Sequence, residues 1–381
     1  MNSFYKKRSP VVALLIIASG LSFQSLAESL QIADTRYHLQ ILSLEGKGLA
    51  MAIGDFNNDS YSDMAVTSES DGKFVVFTGD RKGKFTKLES YNAGHEPSEI
   101  VTSDINGDGH LDLIIANHET KYMTLYHGQG SGTFIPARPS QLSIDVSPHP
   151  HIVRVKDIND DKNPDLIVDN RDATGLLLIK NVDNGHFDSR GKVIVTGGDP
   201  YLGFTVDDVN NDGMWDFITP NSDHIGIVLG KDNKDLVFED PMRIDAQNPF
   251  AVELADLNAD TFLDIIYASL DGPVSIIHGD GSGKFDTMNQ QNIEFVPGAK
   301  RIATGDINGD GIRDILVSNW SADVMFIMGG KKNYDIQRFK PDDIANPWMI
   351  VIEDLNKDKK GDLIIADGDG KQLAIYSSVS K

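Results

Sequence analysis

Short apolar runs alternate with acidic loops along most of the chain. The run Leu49–Ile53 leads into an acidic loop, and a second run, Met64–Val66, follows it. Similar pairs recur along the chain, and a third run then ends in a glycine-rich turn, as at Leu125–Phe134 and Ile276–Phe285. Short apolar runs bounded by turn residues are typical of β-strands. With a more polar fourth stretch, the pattern predicts four short strands per unit and no long helix.

The acidic loops share a nine-residue phrase with Asp at positions 1, 5 and 9 and Asn at position 3. Its seven copies begin 48 to 53 residues apart, at Asp55, Asp104, Asp157, Asp208, Asp256, Asp306 and Asp354. A fixed period of this size indicates a repeat architecture. Four-stranded units repeated around an axis form a β-propeller, whereas the rungs of a linear β-solenoid, the alternative, are usually shorter. We therefore predict an all-β, seven-bladed β-propeller with four-stranded blades.

The two ends of the repeat region predict how the ring closes. The last unit ends at Leu373–Tyr376, after its third strand, while residues 37–44 form a possible strand before the first unit. Without a partner, the third strand of the last unit would be an exposed sheet edge. We expect residues 37–44 to become the outer strand of the seventh blade, and residues 28–381 to form one domain.

The loops are candidate calcium sites. Calcium takes six to eight oxygen ligands, and closely spaced Asp and Asn side chains supply them. Such residues also form turns without metal. However, each of the seven loops gathers three carboxylates, which repel one another unless a cation neutralises them. We expect structural Ca²⁺ ions held by Asp55, Asn57, Asp59, Asp63, Asp104, Asn106, Asp108, Asp112, Asp157, Asn159, Asp161, Asp165, Asp208, Asn210, Asp212, Asp216, Asp256, Asn258, Asp260, Asp264, Asp306, Asn308, Asp310, Asp314, Asp354, Asn356, Asp358 and Asp362.

Position 6 of the phrase ranks these sites. It is Gly109, Gly213 and Gly311 in the second, fourth and sixth loops, and a larger residue in the others. If this position needs a left-handed backbone, any residue but glycine is strained there. We expect these three loops to bind calcium most tightly.

The phrase followed by three apolar residues resembles the repeats called VCBS or FG-GAP. These occur in exported bacterial proteins and in the integrin α-subunit propeller, and the resemblance covers all seven units. It implies a seven-bladed propeller with calcium between the first two strands of each blade. It does not fix a function, because such propellers serve as adhesins, lectins and lyase scaffolds.

The N-terminal residues predict export. Lys6, Lys7 and Arg8 precede the apolar stretch Val11–Leu21, and Ser25–Ala27 forms a small-residue cleavage site. This stretch is short for a bilayer, so a signal peptide over residues 1–27 is favoured over a membrane anchor. We expect a periplasmic or secreted protein that is not embedded in a membrane. The chain has no cysteine, which excludes disulfides, a thiol nucleophile and a lipoprotein.

The charge narrows the class of partner. The formal net charge is −22, and it becomes −25 when the three cations of the signal are removed. Repulsion from phosphates argues against nucleic acid and against anionic lipid as partners. The oligomeric state is left open.

The entry to each first strand is the other candidate site. Counting six residues back from the first Asp of a phrase gives varied residues, and varied residues on a regular scaffold often bind ligands. The candidate ligand-binding residues there and beside them are His149, His151, Tyr201, Phe250, Lys300, Arg301 and Trp348. Packing between blades is the alternative role for the aromatic residues.

These residues support two classes of function. The favoured one is a non-catalytic binding or adhesion module for a glycan or a surface protein, with aromatic rings against sugars. The alternative is a polysaccharide lyase, in which His149 or His151, Tyr201, Lys300 and Arg301 would supply a base and a cation for a uronate. Whether the protein is an enzyme is left open.

Overall fold

The computed structural model describes residues 30–32, 34–144, 150–170, 175–188, 190–200, 203–295, 298–330, 334–341 and 343–379. These residues form β-strands and two short 3₁₀ turns, Glu69–Asp71 and Thr287–Asn289. In the part of the chain so described, no helix is long and apolar enough to cross a membrane. The predicted signal lies outside the described residues.

The strands form seven antiparallel blades around a central channel. The chain begins with β1 (Gln31–Ile32) and β2 (Thr35–Ser43). Blade 1 contains β3 (Gly48–Gly54), β4 (Asp63–Ser68), β5 (Lys73–Gly79) and β6 (Phe85–Asn92). Blade 2 contains β7 (Pro97–Ser103), β8 (Asp112–Asn117), β9 (Tyr122–Gly128) and β10 (Phe134–Ser143). The first strand of each blade is innermost and its fourth is outermost.

Blades 3 and 4 each carry an extra two-stranded hairpin before the outer strand. Blade 3 contains β11 (Val153–Lys156), β12 (Asp165–Asn170), β13 (Gly175–Ile179), the hairpin β14 (Asn181–Asp183) and β15 (His186–Phe187), and β16 (Lys192–Val195). Blade 4 contains β17 (Thr205–Asp207), β18 (Asp216–Pro220), β19 (His224–Val228), the hairpin β20 (Gly230–Asp232) and β21 (Val237–Phe238), and β22 (Met242–Asp245).

The last three blades complete the circle. Blade 5 contains β23 (Pro249–Ala255), β24 (Asp264–Ser269), β25 (Val274–Ile277) and β26 (Gln291–Ile293). Blade 6 contains β27 (Ala299–Gly305), β28 (Asp314–Asn319), β29 (Val324–Met328) and β30 (Asp335–Phe339). Blade 7 contains β31 (Pro347–Glu353), β32 (Asp362–Asp367) and β33 (Gln372–Ser378). Inner strand β3 of blade 1 contacts β31 of blade 7, so the predicted seven-bladed propeller is confirmed.

The N-terminal strand closes the ring, as predicted. β2 pairs with β33 in an antiparallel register that runs from Tyr37↔Ser378 to Ser43↔Gln372. Tyr37 is almost fully buried, and its hydroxyl lies 3.2 Å from both the Ile307 and the Gly361 carbonyl oxygens. The strand therefore completes blade 7 and also reaches the loop of blade 6.

The core lies between the blades. Within the described residues, seven hydrophobic clusters each join two neighbouring blades, including one between blades 7 and 1. The middle strands are buried on both faces, which explains their unbroken apolar sequences. A rigid ring of this kind fixes the two sets of connections at its opposite ends.

Candidate functional site

Each acidic loop joins the first two strands of its blade and folds around its first aspartate. Asp55 accepts the N–H of Asp59 at 3.1 Å through one carboxylate oxygen and the N–H of Ser60 at 2.7 Å through the other. The same pair of contacts recurs in all seven loops. Side chains that bond to nearby main-chain N–H groups stabilise turns. The seven phrases therefore adopt one conformation.

The last aspartate of each phrase anchors the loop to the blade. All seven of these residues are fully buried. Asp314, for example, accepts the N–H of Ile307 and the N–H of Gly329, each at 2.8 Å. Burial raises the pKa of Asp314 to about 7; the two N–H groups oppose this rise, and the Asp310 and Asp306 carboxylates add to it. The loop is thus tied to the third strand of its own blade.

Two positions in every loop have a left-handed backbone. Position 6 has φ between 69° and 84° in all seven loops, whether it is Gly311 or Thr261. Position 4 has φ between 58° and 80°. Left-handed geometry costs roughly 1–2 kcal/mol for residues other than glycine. Five of the seven loops therefore carry strain in the backbone, and only the loops at Asp104 and Asp306 have glycine at both positions.

The donor chemistry of the loops fits calcium. Carboxylate and carboxamide oxygens, with main-chain carbonyls, are the ligands that a hard cation takes. Among the described residues, no three His, Asp or Glu side chains lie close enough together to hold a metal ion by themselves. Asparagine belongs to each donor set instead, and Asn308 donates to Asp310 at 3.0 Å, which places its amide beside that carboxylate. With no thiolate in the chain, the loops suit calcium better than a soft metal.

The opposite end of the first strand carries a β-bulge. In blade 5 the pairing passes from Pro249↔Ser269 to Ala251↔Ala268, which leaves Phe250 as the extra residue. Lys300 and Trp348 occupy the same place in blades 6 and 7, as Ser98 does in blade 2. A bulge redirects the side chain of its extra residue. The position selected from the sequence is therefore a bulge residue in these four blades.

Three aromatic side chains form a cluster at this end of the channel, which we call the aromatic platform. The Trp320 ring lies 6.0 Å from that of Phe250 and 6.1 Å from that of Trp348, at interplanar angles of 58° and 72°. Phe250 is 8% exposed, whereas Trp320 is 45% exposed. Trp320 is thus the most exposed ring of the platform.

Lys300 lies beneath the platform. Its side chain is fully buried, and its ammonium lies 5.0 Å from the Trp320 ring centre and 5.3 Å from that of Trp348. Nζ also donates to the Asn346 side-chain oxygen. Burial lowers the pKa of Lys300 to about 8; Arg301 adds to this fall, and Asp369 and Asp367 oppose it. Lys300 therefore supports the two indole rings and does not face solvent.

Two hollows flank the platform. One has a volume of about 310 Å³ and is lined by Phe250, Asn248 and Asn221. The other, about 790 Å³, is lined by Trp320 together with Asp343 and Asp367. Carboxylate and carboxamide groups beside aromatic rings provide hydrogen-bond partners next to an apolar surface.

Of the other predicted rim residues that the structure describes, His151 lies apart from the platform, whereas Arg301 contacts one of its rings. His151 is buried, with Nδ1 3.2 Å from Asp169, and its ring centre lies 4.7 Å from that of His118. Arg301 points into the central channel, with its guanidinium carbon 5.4 Å from the Trp348 ring centre. His149 and Tyr201 lie outside the described residues. The structure thus brings together Phe250, Lys300 and Trp348.

The repeated phrase matches a known protein family. The model of the FG-GAP-like repeat matches residues 55–115, 104–168, 256–317 and 306–365, which together make up more than half of the chain. The chain belongs to the FG-GAP-like repeat family. Each matched FG-GAP segment runs from the first Asp of one loop to the second strand of the next blade, so the matches include six of the seven loops.

Solved structures of low sequence identity share the FG-GAP propeller's fold. BBS1N, crystallised with ARL6DN and soaked with lead, has a TM-score of 0.59 at 11% identity, over 88% of this chain and 93% of that chain. An Agrocybe aegerita lectin that recognises non-reducing terminal N-acetylglucosamine has a TM-score of 0.58 at 15% identity, over 86% and 87%. Chaetomium thermophilum Raptor has a TM-score of 0.61 at 12% identity, over 91% of this chain and 29% of that chain.

At these identities the likeness shows the fold alone. Comparison with curated protein sequences gave no significant match. The site of this FG-GAP protein therefore has to be argued from its own residues. Trp320, its most exposed tryptophan, was missed by counting from the acidic phrase because it follows the second strand of blade 6. A tryptophan in a turn directly after a strand was the available signal.

Proposed function

We propose that this protein is a non-catalytic binding module whose aromatic platform holds a glycan. The observation that carries the proposal is the exposure of Trp320 on top of Phe250, Trp348 and the buried Lys300. A flat indole ring held from beneath presents a rigid apolar face at low entropic cost, which is what stacking on a sugar ring requires.

The flanking hollows favour a neutral, hydroxyl-rich glycan over an acidic one. Lys300 supplies no exposed cation, and the larger hollow contains two carboxylates, Asp343 and Asp367, with Lys340 as its cation. Carboxylates accept hydrogen bonds from sugar hydroxyls but repel a uronate or a sulfate. The distantly similar Agrocybe aegerita lectin recognises a neutral sugar, which is compatible with this use of the fold.

A glycan array on the mature protein, followed by calorimetry with the best ligand, tests the proposal. Trp320→Ala should weaken binding by about 30-fold, the loss of about 2 kcal/mol that marks a central aromatic contact. Trp320→Phe should retain much of the affinity. Ile135→Ala, which alters a similarly exposed side chain on an outer strand, should change nothing. Equal affinity of the wild type and Trp320→Ala would refute the site.

The lyase alternative is held to a separate test. His151 is paired with Asp169, an arrangement that a general base could use, although the ring is buried. Incubation with uronate-containing polysaccharides, monitored by ultraviolet absorbance of the unsaturated product, should give no signal above background. A signal that His151→Ala abolishes would overturn the non-catalytic assignment.

We also propose that calcium fills the acidic loops as a structural ion. Asp306, Asn308, Asp310 and Asp314, and their equivalents in the other six loops, would hold it. The ion would neutralise carboxylates that otherwise repel one another. Export by cleavage of residues 1–27 would place the protein in calcium-containing surroundings. N-terminal sequencing of protein from the periplasm and the medium tests the export proposal; an intact Met1 would refute cleavage.

A further inference from the structure

In the part of the chain that the structure describes, four charged side chains from four different blades line one cavity of the central channel. Glu99 comes from β7, Arg154 from β11, Glu253 from β23 and Arg301 from β27, and all four line one cavity of about 250 Å³. Most of the remaining lining is aliphatic or small, as at Ala303. This cavity is separate from the two hollows beside the aromatic platform and from the acidic loops.

The four charges form two layers along the channel axis. Glu99 and Arg301 each stand five residues before the first Asp of their loop, whereas Arg154 and Glu253 each stand three residues before it. Two residues along a strand span about 6–7 Å. Each layer thus has one acid and one base, and the layer of Arg301 lies nearer the aromatic platform.

Three of the four charges have protein partners. Glu99 accepts the N–H of Ile100 at 3.2 Å, and its carboxylate lies 3.9 Å from Arg154. Arg154 also donates to the Val153 carbonyl at 3.1 Å and lies 5.7 Å from the Phe204 ring centre. Arg301 lies against Trp348. These contacts hold the three side chains in place around the cavity.

Glu253 differs from the other three. Among the described residues, no hydrogen bond or ion pair reaches its carboxyl group. Burial raises the pKa of Glu253 to about 7; attraction to Arg154 opposes this rise and repulsion from Glu99 adds to it. A carboxyl group that lines a cavity without a protein donor can accept a hydrogen bond from a ligand that supplies one.

The charges select the class of ligand. A simple anion would meet Glu99 and Glu253, and a simple amine would meet Arg154 and Arg301. A molecule with both charges can pair each group with its opposite, and guanidinium is well suited to bind a carboxylate. A volume of about 250 Å³ lies just below the usual range for drug-sized ligands, roughly 300–1,000 Å³, so the ligand is small.

We infer that the channel binds a small zwitterion of amino-acid type, with its ammonium group against Glu253 and its carboxylate against Arg301. This site is distinct from the proposed glycan site, because it uses neither Phe250 nor Trp320, although Arg301 lies against Trp348 of the platform. The inference rests on the placement of four charges around one cavity and on the unpaired carboxyl group.

Ligand-observed NMR on the full mature protein tests the inference with L-alanine, L-serine and γ-aminobutyrate. Ethylammonium and acetate each carry one of the two charges and serve as ligand controls. At least one zwitterion should bind with a dissociation constant of about 1 mM or lower, which is detectable at about 10 mM ligand. Ethylammonium and acetate should bind at least about tenfold more weakly, because each lacks one charge-assisted contact.

Variants identify the site. Glu253→Gln and Arg301→Gln should each weaken zwitterion binding by about tenfold or more, and Glu239→Gln, which removes a surface carboxylate, should not. Melting curves verify that each variant is folded, and Glu253→Gln removes a carboxylate that accepts no hydrogen bond from the described residues, so it should not unfold the protein. The inference fails if no zwitterion binds to the wild type, if a singly charged control binds equally well, or if Glu253→Gln binds like the wild type.

Discussion

Replacing Thr261 by glycine should stabilise the protein, although it removes a side chain. Thr261 occupies position 6 of the fifth loop with φ of 76°, and its side chain is exposed. Its N–H donates to Asp256 at 2.8 Å, a contact that glycine retains. The only large change is therefore relief of left-handed backbone strain at a β-branched residue.

The magnitude follows from two opposing effects. Left-handed geometry at a non-glycine residue costs roughly 1–2 kcal/mol. Glycine also lowers the free energy of unfolding by about 0.4–1 kcal/mol, because it makes the unfolded chain more flexible. The net gain in the free energy of unfolding is about 1 kcal/mol. Gly311→Thr should do the reverse, because a Cβ atom at Gly311 would meet nothing within 4 Å and the cost is confined to the backbone.

Urea unfolding with excess chelator measures both variants without the ion. Thr261→Gly should raise the free energy of unfolding and Gly311→Thr should lower it by a similar amount. The double variant should match the wild type, because changes in separate blades with no shared contacts add. A destabilised Thr261→Gly protein, or a Gly311→Thr protein as stable as the wild type, would refute the reasoning.

Three further outcomes are expected. Tyr37→Phe should lower the free energy of unfolding by about 1 kcal/mol, because the Ile307 and Gly361 carbonyls lose their shared donor; unchanged unfolding would mean that this contact does not contribute to closure. Burial lifts the pKa of Glu253 from 4.5 to about 7, so its neutral form is favoured in the folded state and stability should fall as pH rises between these values. Glu253→Gln should remove this pH-dependent fall in the free energy of unfolding, which amounts to about 3 kcal/mol at most, while Arg154 and Glu99 stay in place. Thermal melts of the wild type and the variant across this pH range measure the difference, and identical pH profiles would contradict it. Chelation of calcium should lower the melting temperature, because calcium at ten times the dissociation constant of a site stabilises the protein by about 1.4 kcal/mol. In calcium titrations, Asp108→Ala should weaken binding more than Asp358→Ala, and equal weakening would contradict the ranking of the loops.

The fold could be predicted from the sequence because the repeated phrase marks the same point in every blade. Each phrase carries the same three aspartates, and the buried one at position 9 begins the second strand; at Asp314, for example, it accepts N–H groups from the loop and from the residue after the third strand. The unpaired third strand of the last unit and the extra strand near Tyr37 predicted the closure for the same local reason. Occupancy by calcium and export stay predictions.

The candidate site was predicted less completely because its parts come from different blades. The bulges that redirect Phe250 and Trp348 depend on strand register, which a single strand does not reveal. Lys300 was expected at the surface, but its ammonium lies between two indole rings. Glu253 was not selected, because its importance depends on Arg154 and Glu99 from distant parts of the chain.

Oxidative footprinting of the three tryptophans tests the central claim most directly, because it locates the ligand on one end of the propeller. Trp320 and Trp348 lie at the aromatic platform, whereas Trp215 lies at the acidic-loop end and donates to the Asp157 carbonyl at 2.9 Å. A saturating glycan from the array should protect Trp320 strongly and leave the oxidation of Trp215 unchanged. Unchanged oxidation of Trp320 while the glycan is bound would contradict the account.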